Sequence, residues 1–334
     1  MDVINAMGGA TLAQRTKSES VEAGLNDNAA DINDDIDDGN DDIDDGNGDT
    51  NEQYLPFRNV RDFFARVNAC TEETFFVFSP VSAADYEALL KSRDRRGQKF
   101  QMDLWDGTQL WITTHASGLH ETLHGHLDDK ILLQVASMGL CDDWKRVGTT
   151  TFTAGAGGSG GEGDSSRKPV SQRPLPAMWP TLVIEGGYSQ SLRKLRHKAR
   201  WWLQESNFEV KIVLIAKCLR TSKTILVEKW VGIPPLAQIS PPNVTTRAQQ
   251  QRLNMQGQGW GLVPGKAQTV TIRPIPGVDP RQTSTPNSFQ VVRSPLVLEF
   301  SLLFLRQPGA GEGNVSLGAQ AFQSFAASIW QDVE

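Results

Sequence analysis

Glu185 ends an apolar run, Pro180-Thr-Leu-Val-Ile-Glu185, directly before Gly186-Gly187. A carboxylate at the end of a buried strand is well placed to face a cleft and hold a cation or a proton there. In the segment that follows, Leu192, Leu195, Ala199 and Trp202 fall on one helical face. Between them stand Arg193, Lys194, Arg196, His197, Lys198 and Arg200, a set of bases suited to phosphate contact. A second group, His120-Glu121-Thr122-Leu123-His124, has H-E-x-x-H spacing. On a helix its imidazoles stand one turn apart and share a zinc ion, with the glutamate as base. A third ligand is missing, because His126 points to another face and position 127 is Leu where the extended motif has glycine.

Three further motif matches lack the context that their chemistry requires. Gly155, Gly157 and Gly160 fit G-x-G-x-x-G, and Gly157, Ser159 and Gly161 fit G-x-S-x-G, but the Glu-Gly-Asp-Ser-Ser that follows opens no apolar-periodic helix. The tandem NDDIDDG repeats at 33–39 and 40–46 have EF-hand glycine placement at Gly39, yet Ile36 stands between Asp34 and Asp38 where an oxygen ligand is required.

The elements that position these residues follow from periodicity. Helical spacing runs over Val60–Val67 and Ala83–Lys91, with a short strand at Phe75–Phe78 between them. Alternation in 100–105 and 109–113 predicts a hairpin closed at Asp106-Gly107. A helix is expected from about His120 to Met138, stopped by Gly139, and a flexible glycine-rich loop over 154–165. Strand 180–185, a helix capped at Ser189 or Ser191, and strands at Val210–Cys218 and Thr224–Trp230 make one unit, its first two strands parallel. Residues 233–294 read as mostly loop with a strand near Val270, then a strand over Leu296–Leu305 and a closing helix over Leu317–Trp330.

Charge is unevenly spread. Residues 1–50 carry fourteen acids and two bases, and the remaining chain 25 acids and 31 bases, so a tail of −12 precedes a body of +6. Polar, acidic and without aromatics, residues 1–51 are expected to be a disordered tail. Three scattered cysteines, Cys70, Cys141 and Cys218, make no disulfide framework. With no apolar leader and no apolar run of membrane length, a soluble intracellular protein, nuclear or cytoplasmic, is expected.

The block from Trp179 to Trp230, with its Pro180–Glu185 strand, Ser-rich turn and Leu-Arg-Lys-Leu-Arg-His-Lys-Ala-Arg-Trp-Trp-Leu helix, resembles fungal uncharacterised proteins of the PD-(D/E)XK, or restriction endonuclease-like, nuclease superfamily. The likeness extends more weakly over 100–178 and over 296–330. It implies a mixed α/β core with a β-sheet flanked by helices, forming one domain over 52–334 with its core at about 100–230. It also implies an Asp, then a Glu and a Lys, arranged about magnesium, which as a hard cation takes oxygen ligands. Glu185 takes the place of the strand glutamate and metal ligand. The lysine two residues on is replaced by Gly187, so Lys198 or Lys194 stands in for it, with His120 or Glu121 as an accessory group. The first acid follows a proline in that pattern, and here Ser166-Arg-Lys-Pro169 is followed by Val170. Glu162 and Asp164 lie upstream, too far in an extended chain to substitute without a reversal.

The sequence therefore predicts a degenerate nuclease-fold protein that binds nucleic acid through Arg193, Arg196 and Arg200, with weak or absent phosphodiester hydrolysis. An active magnesium-dependent nuclease using Glu185 with a relocated acid is the first alternative. A zinc metallopeptidase through His120, Glu121 and His124 is the second.

Overall fold

Short runs rich in β-branched and aliphatic residues lie too close together for helices and pair instead as strands. In the computed structural model, which describes residues 50–98, 100–114, 117–147, 150–154, 159–235, 261–278 and 285–331, they build two main sheets. The first comes mostly from the N-terminal half: β1 (Glu52–Pro56), β2 (Thr74–Ser79), β3 (Gln101–Trp105), β4 (Gln109–Thr114), β6 (Phe152–Ala154) and β7 (Ser159–Gly161), in the order β1-β2-β4-β3-β7-β6. The β3–β4 hairpin closes at Asp106 and Gly107, whose positive φ of 50° and 64° matches the two-residue turn that twisted strands favour.

The second sheet holds β5 (Trp144–Arg146), β8 (Ser165–Pro169), β9 (Leu182–Gly187), β10 (Ile212–Leu219), β11 (Thr224–Ile233), β12 (Val263–Pro274) and β13 (Phe289–Val292). Their order is β13-β12-β11-β10-β9-β8-β5. β8 runs antiparallel to both of its neighbours, β5 and β9, whereas β9 and β10 run parallel across the helix α4 (Leu192–Glu205).

Helix α3 (Gly118–Ser137) and the closing helix α6 (Ala319–Gln331) cover one face of this sheet, burying Leu123, Leu127 and Ile131 with Leu182, Ile184, Phe322 and Trp330. Helix α4 lies on the other face and is also packed by the first sheet: Leu195, Ala199 and Trp202 share a core with Val183, Val213, Phe75, Trp105 and Trp111. Helices α1 (Val60–Ala69) and α2 (Ala83–Arg95) close the far side of the first sheet. No helix among the described residues is long and apolar enough to cross a membrane.

Several expectations are corrected. The acidic tail, expected over 1–51, lies outside the described residues up to 49, but Asn51 is already part of the fold, giving its N–H to Ser189 and accepting from Phe75 N–H. The glycine loop is not loop throughout: 155–158 lie outside the described residues, and Ser159–Gly161 adds to β3 as β7. Leu296–Leu305 is not one strand, because β14 (Leu296–Leu298) gives way to the short helix α5 (Phe300–Phe304), and β14 pairs instead with β15 (Val315–Leu317). A mostly apolar run does not distinguish strand from helix, and here the helix starts after Glu299, with the Phe300 N–H given to Asn314 Oδ1. β12 extends much further than the expected strand near Val270.

Nor does Gly186-Gly187 break its strand; both belong to β9. Gly187 is needed because a Cβ there would lie 2.2 Å from Leu195 Cδ1, so α4 seats directly on the strand backbone. Gly187→Ala is expected to lower stability by about 1–3 kcal/mol through overpacking. A urea melt should show a lower midpoint at unchanged slope; an unshifted midpoint would mean that Leu195 yields at no cost.

Candidate active site

Glu185 projects from β9 toward α4 and has no exposed surface. Its Oε1 accepts from Trp202 Nε1 at 2.7 Å and its Oε2 from Lys198 Nζ at 3.1 Å. Lys198 and Trp202 are one helical turn apart on the face that α4 presents to the sheet, so one helix supplies both partners. The seating of Leu195 on Gly187 excludes a lysine at that strand position, and the helix delivers the ammonium instead.

Asp164, which lies too far upstream of Val170 in an extended chain, is brought in by a reversal. β8 turns back on β9 in a register that pairs Ser165 with Ile184, so one step further sets Asp164 opposite Glu185. Its Oδ2 accepts from Gly186 N at 2.7 Å, and its Oδ1 lies 3.3 Å from His120 Nε2. The reversal that an extended chain lacks is the ordinary antiparallel return of β8 on β9. Val170 follows the other end of β8, with its N–H on Asp143 O.

A third carboxylate arrives from the first sheet. Asp103 on β3 places Oδ2 3.0 Å from Lys198 Nζ, while its Oδ1 accepts from Glu162 N at 2.9 Å. Its signal in the sequence is a single acid between Met102 and Leu104 in a strand buried on both faces. Beyond His120 sits Glu73, whose Oε1 is 4.0 Å from His120 Nδ1. Glu73 accepts from the N–H and hydroxyl of both Ser117 and Ser189. A cleft of about 380 Å³ lined by Asn51, Glu73, Ser117, Ser189 and Arg220 ends there.

The other candidate residues disperse. Lys194 turns away from Glu185, giving hydrogen bonds to Glu52 and the Tyr54 hydroxyl. Arg196 forks onto buried Glu228, and the His197 ring packs between Trp105 and Trp111. Arg193 and Arg200 are the exposed bases of the helix, Arg200 lying over the Trp230 ring. The row of cations is thus mostly an internal lattice. His120 and His124 also take different partners, Asp164 for the first and Ser165 Oγ at 2.9 Å for the second, while Glu121 is exposed and 3.3 Å from His124 Nε2. Among the described residues no three His, Cys, Asp or Glu side chains converge as a metal-ligand group.

The charges do not balance in the buried state. Burial pushes the Glu185 carboxyl up to about 8, reinforced by the negative charges of Asp164 and Asp103 and opposed by Lys198. Burial also raises Asp103. Burial disfavours the charged form of His120, but the Asp164 carboxylate outweighs it, with Glu73 and Glu121 adding, and lifts the ring to about 9. Burial would raise Asp164 too, yet His120 holds it well below the usual carboxylate range. Lys198 stays charged because Asp103, Glu185 and Asp164 override its desolvation.

No protein-family model matches the chain, and no curated protein matches it.

Both Glu185 and His120 bind protons more tightly folded than unfolded, so their stabilisation is lost as pH rises. Starting values of 4.5 and 6.5 rise to about 8 and about 9, which places the loss between roughly pH 5 and pH 9. His124, lowered by burial, works in the opposite sense but only below its ordinary value of 6.5. The metal-free protein should therefore lose stability between pH 6.5 and pH 9 in urea melts, with a shallower loss in Glu185→Gln. A flat or rising profile over that range would contradict the assigned protonation states.

Proposed function

We propose that the chain is a metal-dependent nuclease of the PD-(D/E)XK type, with Asp164 and Glu185 as its acid pair and Lys198 as its lysine. The observation that carries this reading is the β8–β9 register, which places Asp164 opposite Glu185 while α4 sets Lys198 on Glu185. The degenerate reading rested on Val170, and the relocated acid of the alternative is Asp164. The mixed sheet flanked by helices agrees with the coarse architecture that the resemblance implies.

The donor set suits a hard divalent cation. Asp164 Oδ1 is buried with no hydrogen bond made to it and only the His120 ring 3.3 Å away, and Glu185 keeps its proton because burial raises it, with the carboxylates of Asp164 and Asp103 reinforcing the shift. Magnesium needs only one or two carboxylates, with water completing its shell. Asp164 and Glu185 would hold the cation, which when bound would supply Lewis-acid polarisation of a phosphodiester. The chain's own groups do the rest. Lys198 offsets charge that grows on the phosphate, and Trp202 fixes the direction of Glu185. His120 holds Asp164 ionised from the side facing Glu73.

All these groups are buried, so a nucleic acid strand reaches them only after the cover formed by the first sheet moves. Nucleic acid is the proposed partner, met at the surface by Arg193 and Arg200.

Plasmid and single-stranded oligonucleotides incubated with Mg2+ or Mn2+ provide the test. The unmodified protein should cleave, EDTA should stop it, and Glu185→Gln, Asp164→Asn and Lys198→Met should each cost on the order of 100-fold or more. Val170→Asp should change nothing. Cleavage that survives Glu185→Gln, or none with any divalent cation, would overturn the reading.

A further inference from the structure

Lys198 is held almost midway between two carboxylates, 3.1 Å from Glu185 Oε2 and 3.0 Å from Asp103 Oδ2. The two anchors differ in what else they do. Glu185 spends its other oxygen on Trp202 Nε1, a contact within the α4 layer. Asp103 spends its other oxygen on the N–H of Glu162, in the stretch leading directly to Asp164. Asp103 therefore touches both the lysine and the backbone that delivers the second acid, and it comes from the other sheet.

Its own place is fixed independently of Lys198. β3 is paired along its length with β4, and Leu104, the next residue, pairs with Gly160 of β7. The carboxylate that faces the ammonium is thus set by the first sheet and is not free to follow the lysine.

Resting on the nuclease reading above, we propose that Asp103 is a positioning residue for the cation site: it draws Lys198 partly off Glu185, so that Glu185 is available to a divalent cation. Without the charge at position 103, Glu185 is the sole hydrogen-bonded carboxylate left to Lys198. The ammonium then closes on it, and an incoming cation has to displace Lys198 from that oxygen. Asparagine at 103 isolates this effect. Its single carbonyl oxygen keeps the Glu162 N–H, and its amide NH2 is left toward the lysine.

The test is Mn2+ affinity by calorimetry on the full chain, in a double-mutant cycle over Asp103→Asn and Lys198→Met. In the protein that keeps Lys198, Asp103→Asn should weaken Mn2+ binding about tenfold, close to 1.4 kcal/mol. In the Lys198→Met background the same substitution should change it less than about twofold, because the group Asp103 acts through is gone. Equal weakening in both backgrounds would make Asp103 a merely structural residue, and no weakening in either would remove its role. Should Asp103→Asn fail to melt cooperatively, Asp103→Glu and Asp103→Gln, matched in shape and differing in charge, replace it. The charged variant should then hold affinity and the neutral one lose it. An unmodified protein that binds no Mn2+ would instead overturn the nuclease reading, and this inference with it.

Discussion

A carboxylate with no exposed surface cannot be ionised unless something of opposite charge is held beside it. Glu185 is such a group, and Lys198 beside it offsets its burial only in part, so the carboxyl keeps a proton near neutral pH. The crossover between the parallel strands β9 and β10 lays α4 across the sheet with Lys198 and Trp202 aimed at the two oxygens. Close seating is possible because Gly187 has no side chain where Leu195 lands. The hairpin return of β8 then adds Asp164, and the first sheet adds Asp103, so acids accumulate faster than bases. A pair that would be neutral in isolation becomes an electronegative centre.

The two sheets differ in what they contribute. The second sheet brings Asp164 and Glu185 together and, through α4, adds Lys198. The first covers them with Phe75, Trp105 and Trp111 and sends Asp103 and Glu73 inward from either side of the cover. The same helix shows the principle a second time: Arg196 forks onto buried Glu228, whose other oxygen takes Trp230 Nε1. On both occasions an acid on a strand, a base on α4 and an indole N–H form one satisfied cluster, and only the first has surplus carboxylates around it.

Much of this was legible from periodicity and turn chemistry. The helix at 60–69, the hairpin at Asp106-Gly107, α3, α4 and the parallel pair β9–β10 lie close to where apolar spacing puts them. Glu185 and Lys198 were legible as candidates and do meet. Register was not. Asp164 and Val170 are both near β8, and which of them faces Glu185 depends on where a proline-rich return places the strand, an outcome of pairing that linear distance does not encode. Asp103 was hidden for a related reason: the sheet that carries it meets α4 only in the tertiary fold. The basic helix was overread, because sequence gives the sign of a charge but not its partner, and Lys194, Arg196 and Lys198 each have one inside.

The central claim is that Glu185, beside an ionised Asp164, holds a proton where the proposed divalent cation would bind. Calorimetric titration with Mn2+ in buffers of differing ionisation enthalpy counts that proton directly. Release of about one proton per ion is expected at pH 7, with less at pH 9 and none in Glu185→Gln. Mn2+ binding that releases no proton, or releases the same number from Glu185→Gln, would contradict it.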